Sequence, residues 1–174
     1  TGSGTTAYDT SGNANNGTLN SGSTFVSGKI GKAIDFDGDD NVITFSSDSS
    51  LDNLPSAGMT LEAWIYPDTM GEGNAGFIMS KLTDAATGPD GNGGWVLRFN
   101  GSANANALTF TVDGSTDLVR TTSNFTVTSG AWNHVALRWA GDITDASTVK
   151  MYINGRETTY QTTTNGATRV DDGN

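Results

Sequence analysis

The sequence contains no cysteine, three prolines, one histidine and nine Lys and Arg residues against nineteen Asp and Glu residues. Without cysteine there are no disulfides and no thiolate metal sites, so stability has to come from the burial of apolar side chains and from any bound ion. A net charge of −10 argues against a nucleic-acid partner, because binding to phosphates needs clustered cations. The sequence also lacks an apolar run long enough to span a bilayer, and we therefore expect no membrane insertion.

The residues that are abundant are those of strands and turns. The chain has 174 residues, 34% hydrophobic content and 23 glycines, which is the length of one domain and favours strands joined by polar turns. Side chains alternate in character from Trp132 to Trp139, as expected for a half-buried strand. Farther on, the pair Asn154-Gly155 predicts a type I′ hairpin turn, since both central residues need a positive φ. These segments predict an antiparallel β protein.

Other segments extend this prediction to about nine strands at the spacing of a two-layer sandwich. Two short strands around a turn at Gly38-Asp39-Asp40 are predicted in residues 33–45, and further strands at 59–67, 77–81, 95–99, 108–112, 117–121, 132–139 and 148–153. Residues 1–23 are predicted to be a long loop or a flexible lead-in, in which only Tyr8 and Leu19 could act as anchors. Further loops are expected at 49–57 and 83–94.

Five segments, in order, resemble the laminin-G-like branch of the concanavalin A-like jelly-roll superfamily. They are Ala-Tyr-Asp-Thr-Ser-Gly-Asn-Ala-Asn-Asn-Gly-Thr at 7–18, Ala-Ile-Asp-Phe-Asp-Gly at 33–38, Thr-Leu-Glu-Ala-Trp-Ile-Tyr-Pro at 60–67, Trp-Asn-His-Val-Ala at 132–136 and Met-Tyr-Ile-Asn-Gly at 151–155. The resemblance implies an all-β, antiparallel two-sheet sandwich. Members of the family usually carry one more strand at each end, so residues 1–174 are interpreted as a single domain that lacks its first and last strands. A longer chain or neighbouring copies would supply these strands.

The loop at residues 9–17 places oxygen-bearing side chains at alternate positions between glycines, which suits the oxygen ligands of Ca²⁺. The resemblance implies a structural calcium ion here, held by Asp9, by Asn13, Asn15 or Asn16, and by a further acid from outside the chain. The alternative is a loop of Asx turns that binds only its own backbone.

Two other acidic segments are interpreted as turns. Asp35, Asp37, Asp39 and Asp40 alternate along an extended segment, so their side chains cannot all converge. A hairpin turn with solvated acids is the favoured interpretation, and the same holds for Asp90-Gly91-Asn92.

The parity of the strands predicts two different faces. Nine hydrophobic residues are predicted to point into the sandwich: Leu61, Ala63, Ile65, Val135, Leu137, Trp139, Val149, Met151 and Ile153. The opposite parity carries the candidate ligand-binding residues Glu62, Trp64, Tyr66, Trp132, His134 and Arg138. Sugar rings could stack on such aromatic side chains. In the alternative that the sequence favours, loops cover Trp64 and Trp132, and Glu62 pairs with His134 or Arg138.

No catalytic residue is predicted. Glycoside hydrolysis needs two carboxylates across the scissile bond, whereas Glu62, Glu72 and Glu157 are scattered singly. The chain is therefore interpreted as a non-catalytic, extracellular binding or adhesion module that recognises glycans. A structural surface protein that contacts other proteins, such as a virion decoration or a cell-surface subunit, is the alternative, and a glycoside hydrolase comes third. Abundant Thr, Ser, Asn and Gly is typical of secreted bacterial and virion-surface β domains, so we expect an extracellular or surface-displayed protein.

Overall fold

The computed structural model describes residues 2–46, 50–51, 58–71, 75–82, 93–100 and 106–169. The chain divides into two compact units, residues 1–52 and residues 53–174. Within the described residues, the regular elements are β-strands and one 3₁₀ turn at Ala146–Thr148, and neighbouring strands pair antiparallel. The predicted all-β class is confirmed. The predicted loops at 49–57 and 83–94, including Asp90-Gly91-Asn92, lie mostly outside the described residues, as does Glu72.

The strands, numbered along the chain, are β1 Gly2–Ser3, β2 Thr6–Ala7, β3 Gly17–Asn20, β4 Thr24–Ser27, β5 Lys32–Asp35, β6 Val42–Phe45, β7 Met59–Ile65, β8 Phe77–Leu82, β9 Gly94–Phe99, β10 Leu108–Val112, β11 Gly114–Thr116, β12 Leu118–Thr122, β13 Asn133–Trp139, β14 Lys150–Ile153, β15 Arg156–Glu157, β16 Tyr160–Thr164 and β17 Ala167–Arg169.

The first unit contains a four-stranded sheet in the order β1-β2-β3-β6 and a separate β4-β5 hairpin. The prediction of a loop over residues 1–23 is therefore wrong, because three short strands lie there. Polar residues form these strands because the backbone ladder itself satisfies their N–H and C=O groups. Of the two expected anchors, Leu19 is 5% exposed but Tyr8 is 49% exposed.

The prediction of a hairpin at Gly38-Asp39-Asp40 is also wrong, although both predicted strands exist as β5 and β6. β5 pairs with β4 and β6 pairs with β3, so the two strands belong to different sheets. The reason is a tight turn that returns the chain from β4 to β5, with the Gly28 N–H donating to the Gly31 carbonyl at 2.9 Å. The four acidic residues of this region are exposed, as predicted.

The second unit is a sandwich of two antiparallel sheets. One has five strands in the order β16-β12-β10-β9-β8, the other has four in the order β15-β14-β13-β7, and β11 pairs separately with β17. Side chains of both sheets join one hydrophobic core, in which the rings of Phe110 on β10 and Trp139 on β13 lie 6.0 Å apart. This layered arrangement is consistent with the predicted jelly-roll sandwich.

The predicted alternation holds along β7 and β13. All nine predicted inward residues either belong to the buried core or pack against it. The turn at Asn154-Gly155 is confirmed, with φ values of 51° and 78°. The short strands β11, β15, β16 and β17 were not predicted, because they are brief and rich in polar residues. That residues 1–174 are one domain lacking its end strands stays a prediction.

Candidate functional site

The candidate site lies on the β15-β14-β13-β7 sheet of the second unit, on the side that faces away from the hydrophobic core. Strands β7 and β13 are paired so that Trp64 is opposite His134 and Thr60 is opposite Arg138. The core-facing residues are buried on β13 and half-buried on β7, and Glu62 and Trp64 are exposed residues on the opposite face of β7. We call the face formed by the six predicted residues the outer surface: Glu62, Trp64, Tyr66, Trp132, His134 and Arg138.

Four of these residues form two aromatic pairs across the strands. The ring centroids of Trp64 and His134 are 5.2 Å apart at 57°, and those of Tyr66 and Trp132 are 5.5 Å apart at 68°. Such tilted, edge-on contacts are the geometry that aromatic rings prefer. Trp64 is 41% exposed and Tyr66 is 46% exposed, so Trp64 is more accessible than the favoured alternative expected, whereas Trp132 is half-buried. We call these four residues the aromatic surface.

The polar residues of the outer surface divide into two groups. The Glu62 carboxylate lies 3.8 Å from His134 Nε2 and therefore belongs beside the aromatic surface. Arg138 lies four residues from His134 on β13, about 13 Å away by the rise of an extended chain. It is opposite Lys150, whose Nζ lies 3.1 Å from a Glu157 carboxylate oxygen. The structure therefore brings Glu62 to the aromatic surface and leaves Arg138 at the other end of the strand.

Sequence reasoning missed two asparagines that support this surface. The side chain of Asn133 is 1% exposed and makes three hydrogen bonds to the backbone of Thr128 and Ala131. The side chain of Asn154 accepts a hydrogen bond from the backbone N–H of His134. A polar residue at a core-facing position of β13 was the available signal for Asn133. For Asn154, the sequence indicated only the turn.

The predicted calcium loop, in the first unit, is closed by its own hydrogen bonds. The Asp9 carboxylate accepts from the backbone N–H of Ser11 at 2.7 Å, from the Ser11 hydroxyl at 2.8 Å and from the backbone N–H of Asn15 at 2.9 Å. The Asp9 N–H donates to Asn16 Oδ1 at 2.9 Å, and the Asn13 N–H donates to Ser11 Oγ at 3.3 Å. The bonds to the Asp9 carboxylate, chiefly the one from the Ser11 N–H, hold the pKa of Asp9 below its ordinary value of 3.8.

This donor set fits calcium only in part. Carboxylate and amide oxygens are the ligands Ca²⁺ prefers, but Asp9 supplies one formal charge and Asn16 already accepts a hydrogen bond from the loop. Across the described ranges, no three His, Asp or Glu side chains are grouped so that they could hold a metal ion. A complete site needs further ligands, as the sequence prediction assumed, and calcium stays a prediction.

A pair of acids that the sequence did not indicate lies in the second unit. Asp113 is fully buried and accepts from the Gly93 N–H at 2.8 Å. Asp117 lies near it, and burial, helped by the charge of Asp113, raises the pKa of Asp117 above 3.8. A fully buried carboxylate cannot reach a polysaccharide, so this pair does not resemble the two accessible acids of a glycosidase.

The fold agrees with a comparison with protein families. A family model described as the concanavalin A-like lectin/glucanases superfamily, of the laminin G type, matches residues 36–174. The chain belongs to this superfamily. Its laminin-G-like domains fit a binding module for carbohydrates or proteins, although the superfamily also includes glycosidases.

Two further comparisons, with curated proteins and with solved structures, gave no significant match. None of the described residues forms a helix long and apolar enough to cross a membrane.

Proposed function

We propose that the chain is a non-catalytic binding module that recognises glycans with the aromatic surface. The observation that carries this proposal is the pair of cross-strand aromatic contacts, Trp64 with His134 and Tyr66 with Trp132, on a face where Trp64 and Tyr66 remain almost half exposed. Large aromatic side chains are usually buried, and their exposure together in a soluble unit is typical of a contact surface.

The chemistry of the surface suits sugar rings. An indole or phenol face offers an apolar platform for the C–H groups of a pyranose, while Glu62 and His134 provide hydrogen-bonding groups beside it. The residues lie on or next to two paired strands and not on long loops, so their spacing is fixed by the ladder. These features favour recognition of a carbohydrate over a chemical reaction.

The non-catalytic part of the proposal is supported by the distribution of acids. On the outer surface Glu62 is accompanied by aromatic and basic residues, and its side chain is 71% exposed. Retaining and inverting glycosidases both need a second carboxylate across the scissile bond. Asp113 and Asp117 do not supply it, because Asp113 is fully buried.

A glycan array probed with the wild-type chain, Trp64→Ala and Trp132→Ala tests this function. We expect saturable binding to at least one glycan by the wild type and at least about fivefold weaker binding by either variant, since one stacked ring contributes about 1 kcal/mol or more. Phe125→Ala is the matched control, because Phe125 is 72% exposed and outside the outer surface. Undiminished binding by both tryptophan variants would remove the aromatic surface from the proposal.

We also propose that calcium stabilises the Asp9 loop and that the protein works outside the cell or on a surface. An ion bound only by the folded chain raises the melting midpoint. Calcium should therefore raise the midpoint of the wild type relative to chelator, and Asp9→Asn should abolish the difference. If calcium and chelator give the same midpoint for the wild type, the ion has no structural role here.

A structural assembly role is the second candidate, and one observation favours it. The described part of residues 1–52 carries six exposed large hydrophobic residues: Tyr8, Val26, Ile30, Phe36, Val42 and Phe45. Apolar exposure of this kind is typical of contacts between protein chains. Light scattering at increasing concentration should then show association that Ile30→Ser and Phe45→Ser weaken. A monomer at every concentration would exclude assembly through copies of this chain.

A further inference from the structure

We propose that the side-chain amides of Asn133 and Asn154 are positioning residues for the aromatic surface, Asn133 for Trp132 and Asn154 for His134. The two asparagines flank the surface, one before His134 on β13 and one at the turn that follows β14. The consequence for ligand affinity rests on the proposed glycan-binding function. The effect on the geometry of the rings does not.

Asn154 binds both backbone groups of His134, the N–H and the carbonyl. The His134 N–H donates to Asn154 Oδ1 at 2.9 Å, and the Asn154 N–H donates to the His134 carbonyl at 2.8 Å. The ladder between β13 and β14 ends at Val135 and Ile153, so the amide takes the place of the next strand partner. Asn154 can do this because it adopts a positive φ of 51° in the turn. The His134 ring is thereby held beside Trp64.

Asn133 holds the turn that leads into Trp132. Its Oδ1 accepts from the Thr128 N–H at 3.1 Å, and its Nδ2 donates to the carbonyls of Thr128 and Ala131, both at 2.8 Å. The same turn is tied to the end of β7, because the Gly130 N–H donates to the Pro67 carbonyl at 2.9 Å. Pro67 directly follows Tyr66. The turn therefore fixes both partners of the second aromatic pair relative to one another.

These contacts order the rings before a ligand arrives. The aromatic surface lies at the ends of β7 and β13, where strands fray most easily once the last ladder bonds are lost. A ligand that had to order frayed ends would lose part of its binding free energy to that ordering. The amides therefore act on the site through His134 and Trp132, without touching the ligand.

Substitutions at Asn154 separate this role from the stability of the turn. Asn154→Gly keeps the turn, because glycine adopts a positive φ freely, but removes the acceptor for the His134 N–H. Asn154→Asp retains an acceptor oxygen and should restore the contact. His134 is the single histidine of the chain, so the NMR signals of histidine ring protons can be assigned to it directly. Those signals also carry the ring-current effect of Trp64, which lies 5.2 Å away.

We expect Asn154→Gly to move the chemical shifts of the His134 ring protons toward their values in the unfolded chain. Asn154→Asp should leave these chemical shifts close to those of the wild type. Unchanged signals in Asn154→Gly would overturn the proposal. The proposal would also be overturned if Asn154→Asp moved the His134 signals as far as Asn154→Gly does, because the acceptor oxygen would then have no effect on the ring.

For Asn133, the readout is the nuclear Overhauser contact between the rings of Tyr66 and Trp132. Asn133→Asp should weaken that contact. Thr109→Val is the control for lost stability, because it breaks a buried hydroxyl pair with Thr121, 3.0 Å apart on the other sheet. An Asn133→Asp variant that keeps the full ring contact contradicts the proposal, and so does a Thr109→Val variant that loses it to the same extent.

Affinity for the glycan that the array identifies should fall several-fold in Asn154→Gly and recover in Asn154→Asp. Equal affinity of the wild type, Asn154→Gly and Asn154→Asp would show that the side-chain amide of Asn154 does not contribute to glycan binding. If the wild type binds no glycan, the proposed function fails, and the ring signals still decide whether the amides position the surface.

Discussion

The two units of the chain are built in different ways. Within the described part of residues 1–52, Leu19 is the one large hydrophobic residue that is buried, whereas the core of residues 53–174 extends from Met70 to Met151. The first unit instead relies on polar contacts, such as the Asn20 amide donating to the Thr44 hydroxyl at 2.9 Å and the closed Asp9 loop. The second unit owes its stability to apolar burial.

This difference explains where the candidate site lies. A binding surface needs side chains held on a rigid support, and a close-packed sandwich provides one. The first unit has few buried apolar contacts, so its strands are expected to open at lower free energy. The comparison therefore predicts that truncation of a buried hydrophobic side chain destabilises the second unit more than the first.

The largest effect is expected for Leu137→Ala on β13. Leu137 is 1% exposed in the core, and truncation of a buried leucine to alanine costs about 3–5 kcal/mol. Chemical denaturation followed by tryptophan fluorescence measures this loss. A cost below about 1 kcal/mol would mean that the core is not close-packed at this position.

Leu19→Ala should cost less, about 2 kcal/mol, since few other buried apolar groups surround the residue in its unit. Hydrogen exchange should show faster exchange in β3 and β6, while β7 and β13 keep their protection. Equal loss of protection in β13 would contradict the view that the two units are stabilised separately.

Asp117→Asn is expected to stabilise the second unit modestly at neutral pH. The raised pKa of Asp117 means that its contribution to stability is full below 3.8 and is lost as pH rises through the folded-state value. Asparagine stays neutral, so the variant should exceed the wild type at neutral pH and match it in acid. A variant that is less stable at neutral pH would refute the cause assigned to this shift, which is burial next to Asp113.

The smallest effect is expected for Asp9 in acid. Its lowered pKa means that the stabilisation is present above 3.8 and is lost as pH falls through the folded-state value. The protection factors of the Ser11 and Asn15 amides, relative to the intrinsic exchange rate at each pH, should therefore fall in acid, and Asp9→Asn should remove most of this pH dependence. Protection that stays constant down to strongly acidic pH would show that the carboxylate does not hold the loop.

Strand parity explains why much of the second unit was predictable. Leu61, Val135 and Met151 alternate with polar residues, and a period of two leaves one choice of inward face. In the first unit β5 pairs with β4 and β6 with β3, and these pairings depend on the turn at Gly28 and Gly31 and on the short strands β1 to β3, which are rich in Gly, Thr, Ser and Asn. Such residues carry no periodic hydrophobic signal, so the partners of these strands could not be read from the sequence.

The site was predictable to a similar degree. Parity placed Glu62, Trp64 and His134 on one face, but exposure depends on which loops approach that face, which parity does not encode. The roles of Asn133 and Asn154 depend on hydrogen bonds between segments distant along the chain, and a single sequence does not reveal them.

The most direct test of the aromatic surface as the binding site is an NMR titration that follows the ring signals of His134. Its ring packs against Trp64 and lies beside Glu62, so a sugar bound there has to change its surroundings. We expect these signals to shift in a saturable manner with the glycan identified on the array. His134 signals that stay unmoved at saturating glycan would contradict this expectation.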